Sequence, residues 1–302
     1  MNDLSEIDKL ISSLDEEIKS VEERENLMTV MRLYQGDEEI VSSSDYISAM
    51  ARLRGNTDIF KVYTGIKGLD LIAEGFMEGN VVVISGPTKE GKTTLCQTLT
   101  INFDNLYDEK TLWFPFDTPG EEVIQRFNGK VDIYLPKKNP SVKKLDWVEK
   151  KIIEGIAKYG TRIIFIDHLA MLTRATDNER NYSTELSSIM MELKQIAIRW
   201  RVIIFLNHHI RKIQADVVPM YSDLKDSAGV AQDSDMVIMV WRKKEKKGGI
   251  IFHTNKATLS VQTNRRTGRT GVVEVNHCGD HFEEETFSEI IETNEVKSTE
   301  DL

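Results

Sequence analysis

Eight consecutive residues, Gly86-Pro87-Thr88-Lys89-Glu90-Gly91-Lys92-Thr93, set two glycines, a lysine and a hydroxyl at a spacing suited to a chain of oxyanions. Glycine lets backbone pass close to a phosphate, the N–H groups of a helix start point at it, and the Lys92 ammonium can meet β- and γ-phosphate oxygens. Thr93 supplies a hydroxyl ligand for magnesium, and Thr94 extends the contact into the helix. The apolar run Val81–Ile84 before this loop reads as a strand and the residues after it as a helix, which is the setting the pattern requires. The chemistry implied is binding of ATP together with Mg2+.

Other groups can complete such a site. Ile163-Ile164-Phe165-Ile166 reads as a strand ending in Asp167, which puts a carboxylate at the carboxyl edge of a sheet, on the magnesium side. Asp117 ends the stretch Leu112–Phe116 in the same way. It can orient an attacking water, or it can cap the helix that starts at Pro119-Gly120-Glu121. Asn207, His208 and His209 follow a strand at Val202–Leu206, and His208 is placed to hydrogen-bond a γ-phosphate. His277, Cys278 and His281 have the types of a metal cluster, but Gly279 and Asp280 between them favour a plain turn. The turn Asn264-Arg265-Arg266-Thr267-Gly268-Arg269 concentrates cations that can reach a neighbouring molecule and stabilise charge on a transferring phosphoryl group.

These groups need a frame. In the 302-residue chain, short apolar runs at Val81–Ile84, Leu112–Phe116, Ile163–Ile166, Val202–Leu206 and Met236–Trp241 alternate with helical patterns. One such pattern runs from Ser141 through Ile156 and another from Ser183 through Ala197, which predicts an α/β fold with a mostly parallel central sheet flanked by helices. Pro115 is awkward for a central strand because it donates no ladder bond. After Trp241 the alternation stops, and Ile250–His253, Leu259–Asn264 and Val272–Val275 read as hairpin strands. Ahead of the sheet, Ile7, Leu10, Ile11, Leu14, Ile18 and Val21 recur at helical steps among acidic residues, giving residues 1–55 as an acidic helical arm. Residues 56–288 form the main domain, and the polar acidic tail, 289–302, is expected to be disordered.

A net charge of -10 argues against a protein that coats nucleic acid over its whole surface, while leaving room for a local basic channel. Two widely spaced cysteines give no disulfide framework and fit a reducing cytoplasm. No apolar run approaches a membrane span, so no membrane partner is expected.

Together these motifs resemble the RecA-like motor domain of hexameric replicative helicases of the DnaB and Twinkle type and of phage primase-helicases, over about residues 60 to 285. Thr64-Gly65-Ile66-Lys67-Gly68-Leu69-Asp70 with Gly75 and Gly79, Ile166-Asp167-His168-Leu169, and Ser222-Asp223-Leu224-Lys225-Asp226-Ser227 with Gln232-Asp233-Ser234-Asp235 carry the resemblance. It implies catalytic roles for Lys92, Asp117, Asp167 and His208, with Thr93 and Asp167 as magnesium ligands. An arginine finger falls on Arg265 or, counted from Thr267-Gly268, on Arg266. Asp117 stands where the family has Glu, and Thr263-Asn264 stand where a lysine often precedes the finger. The family's DNA-facing loops correspond to residues 173–182 and 210–220, which here carry Arg174, Arg180, Arg211 and Lys212. The partners implied are single-stranded DNA and further copies in a homo-oligomeric, hexameric ring, with a separate primase or loader protein as a possible further one; the family's large amino-terminal modules do not fit into the first 55 residues. The expected location is cytoplasmic, at the nucleoid, or in host cytoplasm for a viral chain. The alternative is a RecA- or KaiC-like ATPase that assembles on a partner without separating strands; a scaffold with a disabled site ranks behind both.

Overall fold

A computed structural model describes residues 42–44, 59–138, 145–173, 179–211, 217–224, 228–248 and 250–284. The chain divides after Asp58 into two compact units, and the elements below belong to the second. They are β1 (Lys61–Val62), α1 (Lys67–Ala73), β2 (Phe76–Met77), β3 (Val81–Gly86), α2 (Lys92–Tyr107), β4 (Thr111–Pro115), α3 (Gly120–Phe127), β5 (Ile133–Tyr134), α4 (Leu145–Tyr159), β6 (Ile163–Asp167), α5 (Glu179–Trp200), β7 (Ile203–His209), α6 (Ala228–Asp233), β8 (Met236–Lys247), β9 (Ile250–Asn264), β10 (Gly271–His277) and β11 (Phe282–Glu284).

One nine-stranded sheet has the order β11-β10-β9-β8-β3-β7-β6-β4-β5. From β5 to β8 every pairing is parallel, and from β8 to β11 every pairing is antiparallel. The central strands are apolar on both faces because helices cover both. Val82 and Ile84 of β3, Phe165 of β6 and Phe205 of β7 pack with Leu95, Leu99 and Phe103 of α2 and with Leu69 of α1. Val81, Val83, Ile164 and Leu206 pack instead with Val148 and Ile152 of α4 and with Leu186, Met190 and Leu193 of α5. The period of two along each strand therefore decides which residues look toward α2. Stacked rings of Trp113, Phe165 and Phe205, with centroids 4.7 and 4.9 Å apart, fix the spacing of three neighbouring strands on that face.

The five sheet strands and two helices expected from the sequence all form, with shifted ends. Strand β7 runs to His209, past Leu206. Strand β8 runs to Lys247, past Trp241, and β9 is one strand over Ile250–Asn264 instead of two. The charged run from Arg242 to Lys247 is held extended by pairing with β9, with register shifts at Val237/Ile238 and Arg242/Lys244. Pro115 stays in its strand because its neighbour restores the ladder: the Phe116 N–H donates to the Asp167 carbonyl at 2.8 Å. The expected arm, the second helical pattern through Leu53 and the tail lie outside the described residues, apart from 42–44. Among the described residues no helix is long and apolar enough to cross a membrane.

Candidate nucleotide site

Strand β3 delivers the loop at the carboxyl edge of the sheet, beside the ends of β6 and β7. Its start is fixed by Asp235, which accepts from the Val81 N–H at 2.7 Å and from Lys194 of α5 at 2.7 and 2.8 Å. This gives the Gln232–Asp235 segment a structural reason. On the other side, Asp70 accepts from the Thr64 N–H and hydroxyl and from the Gly65 N–H, and Asn102 of α2 donates to the Thr64 carbonyl. The glycine-containing lead segment is thereby docked on the loop's helix.

Two loop glycines are required. Gly86 has φ +145, and a Cβ there would stand 2.2 Å from the Val240 carbonyl oxygen. Gly91 has φ +100, and its Cβ would stand 2.8 Å from the Phe282 ring. Between them the chain curls around Lys92, whose ammonium donates to the carbonyls of Gly86 at 2.9 Å and Pro87 at 2.8 Å. An ammonium carries three N–H donors, so this arrangement leaves one for a phosphate oxygen. Burial pushes Lys92 down to about 8, against the opposing pull of Asp167 and Glu90. An ammonium held in a desolvated site with carbonyls around it is poised for an anion.

The cavity is about 320 Å³ and is lined by Thr88, Lys89, Gly91, Lys92, Thr93, Thr94, Asp117, Thr118, Arg126, Asp167, His209 and His277. Asp167 shares the α2-facing parity of Ile163 and Phe165, so its carboxylate meets the Thr93 hydroxyl at 3.0 Å. Burial raises the Asp167 carboxyl above its ordinary range; hydrogen bonds from Asn207 and Thr93 oppose this, and the nearby Asp117 charge adds to it. Two carboxylates and a hydroxyl facing one space are hard oxygen donors that a divalent cation would relieve, so the residues fit Mg2+. Asp117 does not cap α3, whose N-cap is Pro119; it points into the cavity with an oxygen 3.9 Å from His168 Nε2. The His168 ring in turn meets the His209 ring edge to face at 4.5 Å.

Three expectations change. His208 does not reach the cavity: it is 2% exposed and has the parity of Ile204 and Leu206, while Asn207 and His209 share the α2-facing parity of Phe205. His209 is the histidine on the cavity. Glu90 also turns away from the phosphates. It is 1% exposed and accepts from the Arg242 N–H and from the Lys244 ammonium, both at 2.7 Å, which ties the loop to the base of the β8–β9 hairpin. Gly86 and Pro87 serve the site through their carbonyls on Lys92.

The finger candidates stand off their own chain's cavity. Arg265 is exposed and donates to the Gln232 carbonyl. Arg266 donates to the carbonyls of Ala73, Glu74 and Gly75 at 2.8–3.0 Å, closing the end of α1. Arg269 pairs with Glu74 at 2.8 Å. Arg211 keeps 64% of its side chain exposed while pairing with Asp223 at 2.9 Å. Arg174, Lys212 and the side chain of Arg180 lie outside the described residues. Arg126, Thr118 and His277 also line the cavity, and no sequence pattern marks them for it. They come from α3, from the turn before it and from the end of β10, and no linear motif links them.

The fold and this site define a P-loop nucleotide-binding protein of the RecA-like α/β class. Comparison with known proteins narrows the class. Residues 129–285 match the model of the DnaB-like helicase C-terminal domain, and residues 62–137 match the KaiC ATPase model. A probable replicative DNA helicase of Trieres chinensis is 25% identical over 272 residues, covering 79% of this chain and 57% of that protein. The replicative DNA helicase DnaC of Bacillus subtilis strain 168 is 23% identical over 270 residues, covering 78% and 58%. The chain thus spans a little over half the length of these relatives. Among solved structures, a DnaB-like replicative helicase described with its primase interactions superposes with a TM-score of 0.63 at 20% identity, covering 91% of this chain and 75% of that one. The chain belongs to the DnaB-like helicase C-terminal domain family.

Proposed function

We propose that this chain is the ATP-hydrolysing motor of a replicative DNA helicase, working on single-stranded DNA as a homo-oligomeric ring. The observation that carries the reading is the convergence of Lys92, Thr93, Asp167, Asp117 and His209 on one cavity in a chain of this family. Lys92 holds the β- and γ-phosphate charge as it spreads over the transferring group, and Asp117 orients the attacking water in line. His209, next to Asp117 through His168, reads the γ-phosphate and changes contacts when it leaves. Mg2+ bound at Thr93 and Asp167 would neutralise charge on the phosphate oxygens. Arg265, exposed and away from its own cavity, is assigned to the site of the next subunit, so hydrolysis requires assembly. Residues 1–55 are assigned to subunit contact, residues 56–288 to the motor, and the basic positions Arg174, Arg180, Arg211 and Lys212 to the DNA backbone, with a separate primase or loader as a further partner.

The test is strand release from a forked DNA by the wild-type protein with ATP and Mg2+, with Lys92→Ala as control. Release by the wild type alone supports the motor; equal release by Lys92→Ala removes it. The match of residues 62–137 to the KaiC ATPase supports a second reading, an assembling ATPase without strand separation. DNA-stimulated hydrolysis with no strand release would select it.

A further inference from the structure

We infer that the turn between β10 and β11 is a binding site for a thiolate-favouring divalent cation, zinc by its chemistry, held by Cys278, His281 and Glu283. One ligand atom from each of these side chains lies within 4.8 Å of the others. Tetrahedral zinc with sulfur, nitrogen and oxygen ligands sets its donors roughly 3.5 Å apart, so closure takes side-chain movements on the order of 1 Å. Cys278 and Glu283 are exposed and His281 is partly exposed, so a cation has an open approach to all three.

The hydrogen bonds already follow the pattern of a ligand set. Glu283 accepts from His281 Nε2 at 2.9 Å and from the Cys278 thiol, so protons lie between the donors where a cation would bind them together. The other imidazole nitrogen, Nδ1, is 2.6 Å from Asp280, which is itself held by Lys130 at 2.7 Å. A carboxylate on the distal nitrogen is the arrangement that fixes tautomer and ring orientation in metal-ligating histidines. Three protein ligands leave a fourth position for water or a further donor. Hairpin geometry supplies the convergence: His281 and Glu283 lie two apart on one face, and the Cys278 N–H donates to the His281 carbonyl at 2.9 Å. Phe282, on the opposite face, packs at Gly91 and donates its N–H to Thr98 Oγ1 of α2 at 2.9 Å. The cation would therefore brace the hairpin that backs the phosphate loop. The turn foreseen from Gly279 and Asp280 is present, and it serves to gather the ligands.

The test is titration of the full chain, free of nucleotide and under a non-thiol reductant, with Co2+ followed by Zn2+. The expected result is a near-ultraviolet thiolate-to-cobalt absorption that saturates at one equivalent and is abolished by Zn2+. It should be absent in Cys278→Ser and weakened by about tenfold or more in affinity in Asp280→Asn. Zn2+ should also raise the thermal midpoint of the wild type and leave that of Cys278→Ser unchanged. Absence of the thiolate band in the wild type, or its survival in Cys278→Ser, would overturn the site.

Discussion

Raising the pH above about 7.5 should loosen the grip on nucleotide although the triphosphate, already fully ionised there, keeps its charge. In the free protein, burial holds Lys92 down to about 8. A bound triphosphate brings several negative charges against the ammonium and returns it at least to its ordinary range, so binding above that pH takes up a proton. With a free value of about 8, the charged fraction falls from roughly three quarters near pH 7.5 to roughly one tenth near pH 9. Affinity should then fall about eightfold over that interval, equivalent to about 1.2 kcal/mol. The assay is equilibrium titration with a fluorescent, non-hydrolysable ATP analogue at constant ionic strength. Lys92→Arg stays charged throughout and should bind with flat pH dependence. A flat wild-type profile, or an equal fall in the arginine variant, would show that Lys92 ionisation does not control binding. The same lowered value has a stability sign. A lysine whose folded value lies below its unfolded one costs stability while charged, so its penalty is full below pH 8 and is relieved as the pH rises from about 8 toward 10.5.

His209→Ala should cut steady-state hydrolysis by about 100-fold while keeping nucleotide binding, whereas His208→Ala should leave turnover largely intact and lower unfolding stability by about 2 kcal/mol in urea titration. Gly86→Ala, which drives a methyl into the Val240 carbonyl, should abolish nucleotide binding and lower the thermal midpoint, as calorimetry would record. Glu90→Ala removes the carboxylate that accepts from Lys244 and the Arg242 N–H; it should cost about 3 kcal/mol in urea unfolding, most of it recovered when Lys244→Met is added. Arg265→Ala should bind nucleotide normally and fail to hydrolyse it, with activity rescued when mixed with Lys92→Ala subunits that supply the finger.

The phosphate loop and the acidic strand ends were legible because their chemistry lies in consecutive residues next to apolar runs. Asp167 could be placed from one strand end. The histidine could not, because β7 is apolar on both faces and sequence carries no mark of which parity looks toward α2; a shift of one residue separates His208 from His209. Glu90 sits in the loop motif yet faces β8, and only the extension of β8 to Lys247 reveals why. That extension was hidden because Arg242–Lys247 is a charged run, and only its antiparallel partner holds it extended. Arg266 looked equivalent to Arg265 in the turn, but α1 ends against it and claims its donors. Arg126 and His277 reach the cavity through folding alone, from either side of the loop.

Whether the chain is an assembling, DNA-driven ATPase is decided by steady-state ATP hydrolysis over a range of protein concentration, with and without single-stranded DNA. Strong stimulation by DNA and a rate that rises more steeply than linearly with protein are expected. Hydrolysis that ignores DNA and scales linearly with protein would contradict that function.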